Sequence, residues 1–263
     1  MRILWIGLIS CVALAAPAIS VQAFGAQDLQ GGKHPMLQPE AEQLLALANQ
    51  ARAAAGAGPL RWDQALAAAA RQHCLRMAAE GPISHRYSGE MDLTERAGQA
   101  GAHFSLIEEN VAIGPTPYAI HDEWMHSSGH RANLLNPDVD RVGVAVVASR
   151  GVLYAVADYE RAVAVLTQPQ VEANIAALMR GRGVALLRDP TDARAYCAQG
   201  RGAKGSSQPG FRMLWQESDL THLPQQLQDR IASGHYRQAA VGSCPAQDVE
   251  GSFTAYRVAV LLY

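Results

Sequence analysis

The segment HDEWMHSSGHRANLLN, residues 121–136, gathers three histidines, two acids, a tryptophan and an arginine in a chain otherwise rich in alanine. No other stretch is so dense in groups that ligate metal or move protons, so it reads as one wall of a polar cleft. A short helix is expected from Pro117 to about His126, broken near Gly129. Trp124 has an apolar body suited to burial where that helix meets a sheet. His126 and His130 stand four apart, but they share a face only on an unbroken helix. The His-Glu-x-x-His spacing of zinc proteases is absent. Ser127 and Ser128 lie near histidines without the Gly-x-Ser-x-Gly elbow of a serine hydrolase. Asn133 and Asn136 have the character of turn and cap residues. Above all, the segment delivers His130 to a site.

Immediately downstream, Arg141–Val147 and Gly151–Tyr159 read as two strands of a hairpin, with Asp158 and Tyr159 at a strand end toward the cleft. Upstream, Pro39 with Glu40 and Glu42 opens a helix to about Ala55. Asp63 caps a second, to about Ala79, and a third spans about 93–100. Ser84–Gly89 is irregular and polar, and Glu108–Gly114 is a strand or loop. Helices first and strands after argue for an α+β fold.

Taken together these pieces resemble the CAP superfamily (cysteine-rich secretory proteins, antigen 5 and pathogenesis-related protein 1), nearest its bacterial extracellular SCP-like branch. Asn49-Gln50-Ala51-Arg52 followed by Pro59-Leu60-Arg61-Trp62-Asp63 is similar to the first helix and its exit. Ser84-His85 matches the first histidine, and Glu109-Asn110-Val111-Ala112 the glutamate-asparagine step. Trp124, Ser127, Gly129-His130-Arg131 and Asn133-Leu134-Leu135-Asn136 match the last helix and second histidine. Val142-Gly143-Val144 matches the strand after it. The resemblance covers roughly residues 36–162 and implies an α-β-α sandwich around a central antiparallel sheet. The family's cleft has two histidines and two glutamates. His85, Glu109 and His130 match three of them, and the fourth falls at Ser127, where the bacterial branch commonly has serine. Glu108 stands where glycine usually precedes the matched glutamate and adds charge at the cleft or points to solvent.

Two imidazoles converging from distant loops suit zinc or another divalent metal. A nearby carboxylate orients an imidazole, completes a ligand set or takes a proton from bound water. His85 and His130 are therefore the expected metal ligands, in a ligand cleft with Glu109, Ser127 and Glu108. The same three residues His85, Glu109 and His130 are the candidates for catalysis. The competing reading makes His85 and Glu109 a hydrogen-bonded pair that ties a loop to the sheet.

Beyond Ala164 the character changes. Helix is expected over about 171–180 and 223–231, and strands over 183–187, 211–215, 236–241 and 253–262, giving a small C-terminal α+β unit, residues 165–263. No long repeat is apparent. Arg2, the apolar run Ile3–Ala16 and Val21-Gln22-Ala23 read as a signal peptide cut after Ala23, followed by a leader over 24–35. Cys11 sits too early, with apolar sequence continuing past it, to be a lipidation site. No other segment is long and apolar enough to span a bilayer. The expected location is secreted or periplasmic, where disulfides persist. Cys197 and Cys244 form the natural pair, and Cys74, in an alanine-rich helix, a buried thiol. A formal net charge of -2 supplies no basic field for nucleic acid. The leading expectation is an exported CAP-domain protein whose cleft holds a divalent metal or a small, lipid-like ligand. The alternatives are a cell-wall or peptide hydrolase using the same cleft, and a cell-surface interaction module acting through the C-terminal unit.

Overall fold

A computed structural model describes residues 38–200, 208–247 and 252–263. The expected signal peptide, leader and Cys11 lie outside these residues. Among the described residues, no helix is long and apolar enough to cross a membrane.

The chain runs α1 (Pro39–Ala55), β1 (Arg61–Trp62), α2 (Gln64–Glu80), α3 (Leu93–Gln99), β2 (Phe104–Gly114), α4 (Pro117–His126), α5 (Ser128–Leu135), β3 (Arg141–Ser149) and β4 (Val152–Ala162). These strands form a sheet in the order β1-β3-β4-β2, with β1 parallel to β3 and the other pairings antiparallel. Strand side chains alternate between faces. Val111 and Val156 pack with Ala70, Cys74 and Met77 of α2. Ala112, Ala155 and Ala157 pack on the opposite face with Leu44 of α1, Trp124 of α4 and Leu134 of α5. The result is the expected α-β-α sandwich.

The helix that follows Pro117 ends at His126, as expected, and the break falls at Ser127, two residues before Gly129. Ser127 is extended (φ -85°, ψ 122°), so it ends α4 and begins α5 at once. Its N–H donates to Glu123 O and its carbonyl accepts from Arg131 N. Gly129 lies inside α5, and the break removes the shared face of His126 and His130. Arg52 ties these elements together through hydrogen bonds. Its buried guanidinium donates to the carbonyls of Gly58, Leu134, Asn136 and Val139 at 2.6–3.0 Å, satisfying the C-terminal end of α5.

Next come α6 (Gln168–Arg180), β5 (Ala185–Leu186), α7 (Thr191–Gln199), β6 (Phe211–Glu217), α8 (Gln225–Ala232), β7 (Gln238–Cys244) and β8 (Tyr256–Leu262). Helix α7 was not legible: its buried stripe is only Ala193 and Cys197, too short a period to stand out. The second sheet has the order β5-β7-β8-β6, again with the two-residue strand parallel and the other pairings antiparallel. Helices α6 and α8 cover one face, through Val171, Ile175, Met179, Leu227 and Ile231. The other face packs on Ala193 of α7. Strand order, pairing sense and helix placement thus repeat those of the first sheet, although the sequence shows no long repeat. The expected disulfide is present, joining Cys197 of α7 to Cys244 of β7 with Cα atoms 5.8 Å apart. Cys74 is a free, buried thiol donating to Tyr154 O at 3.1 Å, and burial pushes it up to about 12.

Candidate functional site

Strand β2 forms one edge of the first sheet. Alternation sends Glu109 toward the α2 face and Glu108 and Asn110 to the other. Glu109 is buried (7% exposed) and both of its oxygens are engaged. Oε1 lies 2.8 Å from His85 Nδ1, and Oε2 accepts from Arg96 Nη2 at 2.5 Å. Arg96, itself buried, also donates from Nη1 to Met91 O at 3.1 Å and His85 O at 3.4 Å. It therefore holds both the carboxylate and the backbone of the histidine loop. Its own helix, α3, is started by a capping box between Asp92 and Glu95.

The loop is pinned further by His73 of α2. Its Nε2 faces Ser84 O at 2.8 Å and its Nδ1 faces Glu90 Oε1 at 2.8 Å. Burial pushes the Glu90 carboxyl up, but hydrogen bonds from His73 and the Tyr87 N–H outweigh it and hold the group below its usual range.

His85 remains exposed (61% of its side chain). Its hydrogen bond to Glu109 raises its proton affinity above the ordinary histidine range, with burial acting in the other direction. The same bond places hydrogen on Nδ1 and leaves Nε2 facing solvent. His130 comes from the other side of the strand edge. Asn110 Nδ2 donates to His130 O at 2.9 Å, while Asn133 Nδ2 donates to Glu109 O at 3.1 Å and Asn110 Oδ1 at 3.0 Å. These bonds clamp α5 to β2, and Asn133 is thus a helix residue that binds the strand, not a turn residue. Burial lowers the His130 proton affinity, and the charge of His85 lowers it further. Its Nδ1 is buried and makes no hydrogen bond to the protein.

The other expected site residues make none of these bonds. Glu108 is on the opposite face of β2 from Glu109, where Oε1 accepts from Asn136 Nδ2 at 3.0 Å. Burial raises its carboxyl above the usual range, opposed by Asn136 and reinforced by Asp138. Ser127 is half-buried at the α4–α5 junction, and its backbone is what the helices use. His121 and His126 lie on α4, where His126 Nδ1 bonds Asp122 O at 2.8 Å. Trp124 is buried, with Nε1 donating to Val111 O at 3.3 Å. Arg96, His73 and Glu90 carry no local signal of a site, and Asn110 is marked only by the glutamate-asparagine step. Each acts through a partner distant in sequence.

The chemistry available is that of an exposed imidazole backed by a buried carboxylate. Glu109 orients His85 in the manner of the carboxylates that stand behind metal-bound histidines. With both of its oxygens engaged, Glu109 is the orienting group and not itself a ligand. Two imidazole nitrogens alone fall short of the three protein ligands usual for a zinc site. Among the described residues, no group of three or more His, Cys, Asp or Glu side chains is placed to hold a metal.

The model of the cysteine-rich secretory protein (CAP) family matches residues 45–159. Among curated proteins, the uncharacterized protein YkwD of Bacillus subtilis is 31% identical over 112 residues, 41% of this chain and 42% of that protein. Among solved structures, an extracellular SCP-domain protein from Bacillus anthracis is 27% identical, covering 48% of this chain and 44% of that one, with a TM-score of 0.44. The crystal structure of NaASP2 with Zn2+ is 11% identical, covering 49% of this chain and 83% of that one, with a TM-score of 0.36. The chain spans less than half the length of the curated relative named here. Residues 45–159, less than half of the chain, are thus similar to the CAP family.

Proposed function

We propose that the protein is an extracytoplasmic CAP-domain protein whose His85–Glu109–His130 cleft binds a divalent metal such as zinc, or a small ligand that takes the same two nitrogens. The observation that carries this reading is the His85–Glu109–Arg96 chain. A buried carboxylate held by a buried arginine fixes an exposed imidazole with Nε2 toward solvent. A loop could be tied down without leaving the ring so exposed. The described Cys197–Cys244 disulfide supports an oxidising compartment. Lipid-like molecules and cell-wall components are the ligand classes that such a location would present.

Zinc titration of the purified protein near pH ~7.5 tests the metal reading. One zinc per chain is expected, with binding abolished in the His85→Ala/His130→Ala double variant. Absence of binding in the parent, or unchanged binding in the double variant, would refute it. A cell-wall or peptide hydrolysis that survives this double variant would show that the cleft is not its catalyst.

A further inference from the structure

The two sheets provide an internal comparison. A Cβ added at Gly143 of β3 would lie 2.0 Å from Ala67 N and 2.2 Å from Leu66 C of α2. One added at Gly242 of β7 would lie 2.3 Å from Arg194 N and 2.5 Å from Ala193 C of α7. In each case the helix that follows the short parallel strand touches the glycine with its third and fourth residues. The two glycines are therefore equivalent positions. Across the first sheet the register runs Gly143, Asp158, Glu109. Across the second it runs Gly242, Ala259, Leu214. Glu109 and Asp158 are thus replaced together by apolar residues, and α8, QQLQDRIA, carries no histidine.

Asp158 is an expensive residue to keep. It is fully buried, and neither carboxyl oxygen receives a hydrogen bond from an N–H group of the protein. The group against it is the Glu109 carboxylate. Glu109 already accepts from His85 and Arg96. Two carboxyl groups facing each other across neighbouring strands favour a proton on one of them, and Asp158, which receives no donor, is the one in need of it.

We infer that residues 165–263 are a second copy of the CAP-type layer with its polar cleft lost, and that Asp158 is a positioning residue of the surviving cleft. As a neutral acid it donates to Glu109 and so fixes the carboxylate that orients His85. Burial, with Glu109 opposite, raises Asp158 well above the carboxylate range, consistent with that role. Arg96 is the cation of this cluster, and its Nε is also buried without a hydrogen bond.

This inference rests on the cleft reading above, but its primary readout needs no metal. In the full chain, imidazole 1H–15N spectra at a pH where His85 is neutral report which ring nitrogen carries hydrogen. The parent and Asp158→Asn, whose amide can donate in the same place, are expected to show one tautomer with hydrogen on Nδ1. Asp158→Ala is expected to show a mixture of tautomers and a zinc affinity lower by about 10-fold, the lower end for removing an outer-shell partner. Asp158→Ser, polar but too short to reach Glu109, is expected to behave as Asp158→Ala and serves if that variant does not fold. Parent-like tautomers in a folded Ala or Ser variant would overturn the inference. So would a mixture in Asp158→Asn, which would mean that an ionised carboxylate is required. If zinc does not bind the parent, the metal reading falls while the tautomer comparison still decides the role of Asp158.

Discussion

Glu160 makes the linkage between burial and pH measurable. It lies on β4 two residues from Asp158, is 1% exposed, and its Oε2 makes no hydrogen bond. Burial, and after it the charges of Asp63 and Asp140, raise its carboxyl from 4.5 to about 8. Between these values the folded state keeps a proton that the unfolded chain has released. Stability therefore falls with rising pH across this window, being fully present below about 4.5 and lost as pH passes about 8. At about 1.4 kcal/mol per pH unit the whole window corresponds to about 5 kcal/mol, an upper bound that local relaxation reduces to roughly 2–5 kcal/mol. Glu160→Gln keeps the shape of the neutral acid and cannot ionise. It is expected to raise the melting temperature by roughly 5–15 °C at pH ~8.5 and by no more than about 3 °C at pH ~5. Calorimetric melts of the two proteins at both pH values provide the assay. An equal gap at the two pH values, or a lower melting temperature for the variant at the higher pH, would refute the assignment of a buried, protonated Glu160.

Other perturbations follow from the packing. Arg52→Met should destabilise the protein by about 3 kcal/mol in denaturant melts, because four carbonyl groups around the end of α5 lose their donor. Gly143→Ala and Gly242→Ala should each lower the melting temperature by more than about 5 °C, since either methyl meets helix backbone. A neutral effect at one glycine alone would contradict their equivalence. Cys197→Ser with Cys244→Ser should lose roughly 4 kcal/mol by the chain-entropy argument for a loop of sequence separation 47, measured against the oxidised parent. Zinc affinity should fall as pH drops, because the Glu109 bond strengthens His85's hold on its proton and the proton competes for the ring.

Much of the first sheet's architecture could be read locally. Asp63 before an alanine-rich helix, Pro117 at a helix start and the alternating run from Arg141 each act over a few residues, so periodicity and capping reveal them. The break falls at Ser127 and not at the glycine, Gly129, which lies inside α5. Helix α7 was missed because two small buried residues make a faint stripe.

The α+β class, the CAP resemblance and the Cys197–Cys244 pair could be read from the residues alone. These follow from residue type and short spacing, which survive without a structure. The partners of the histidines required the fold. His85 meets Glu109 across 24 positions and Asn110 meets the His130 backbone across 20. The placement of Glu108 and Glu109 on opposite faces depends on which face of β2 the helices cover. The repeated layer, too, is visible only in strand order and in the approach of helix to glycine. Apolar residues substitute freely for one another in a core, so the topology is retained while the sequence signal is lost.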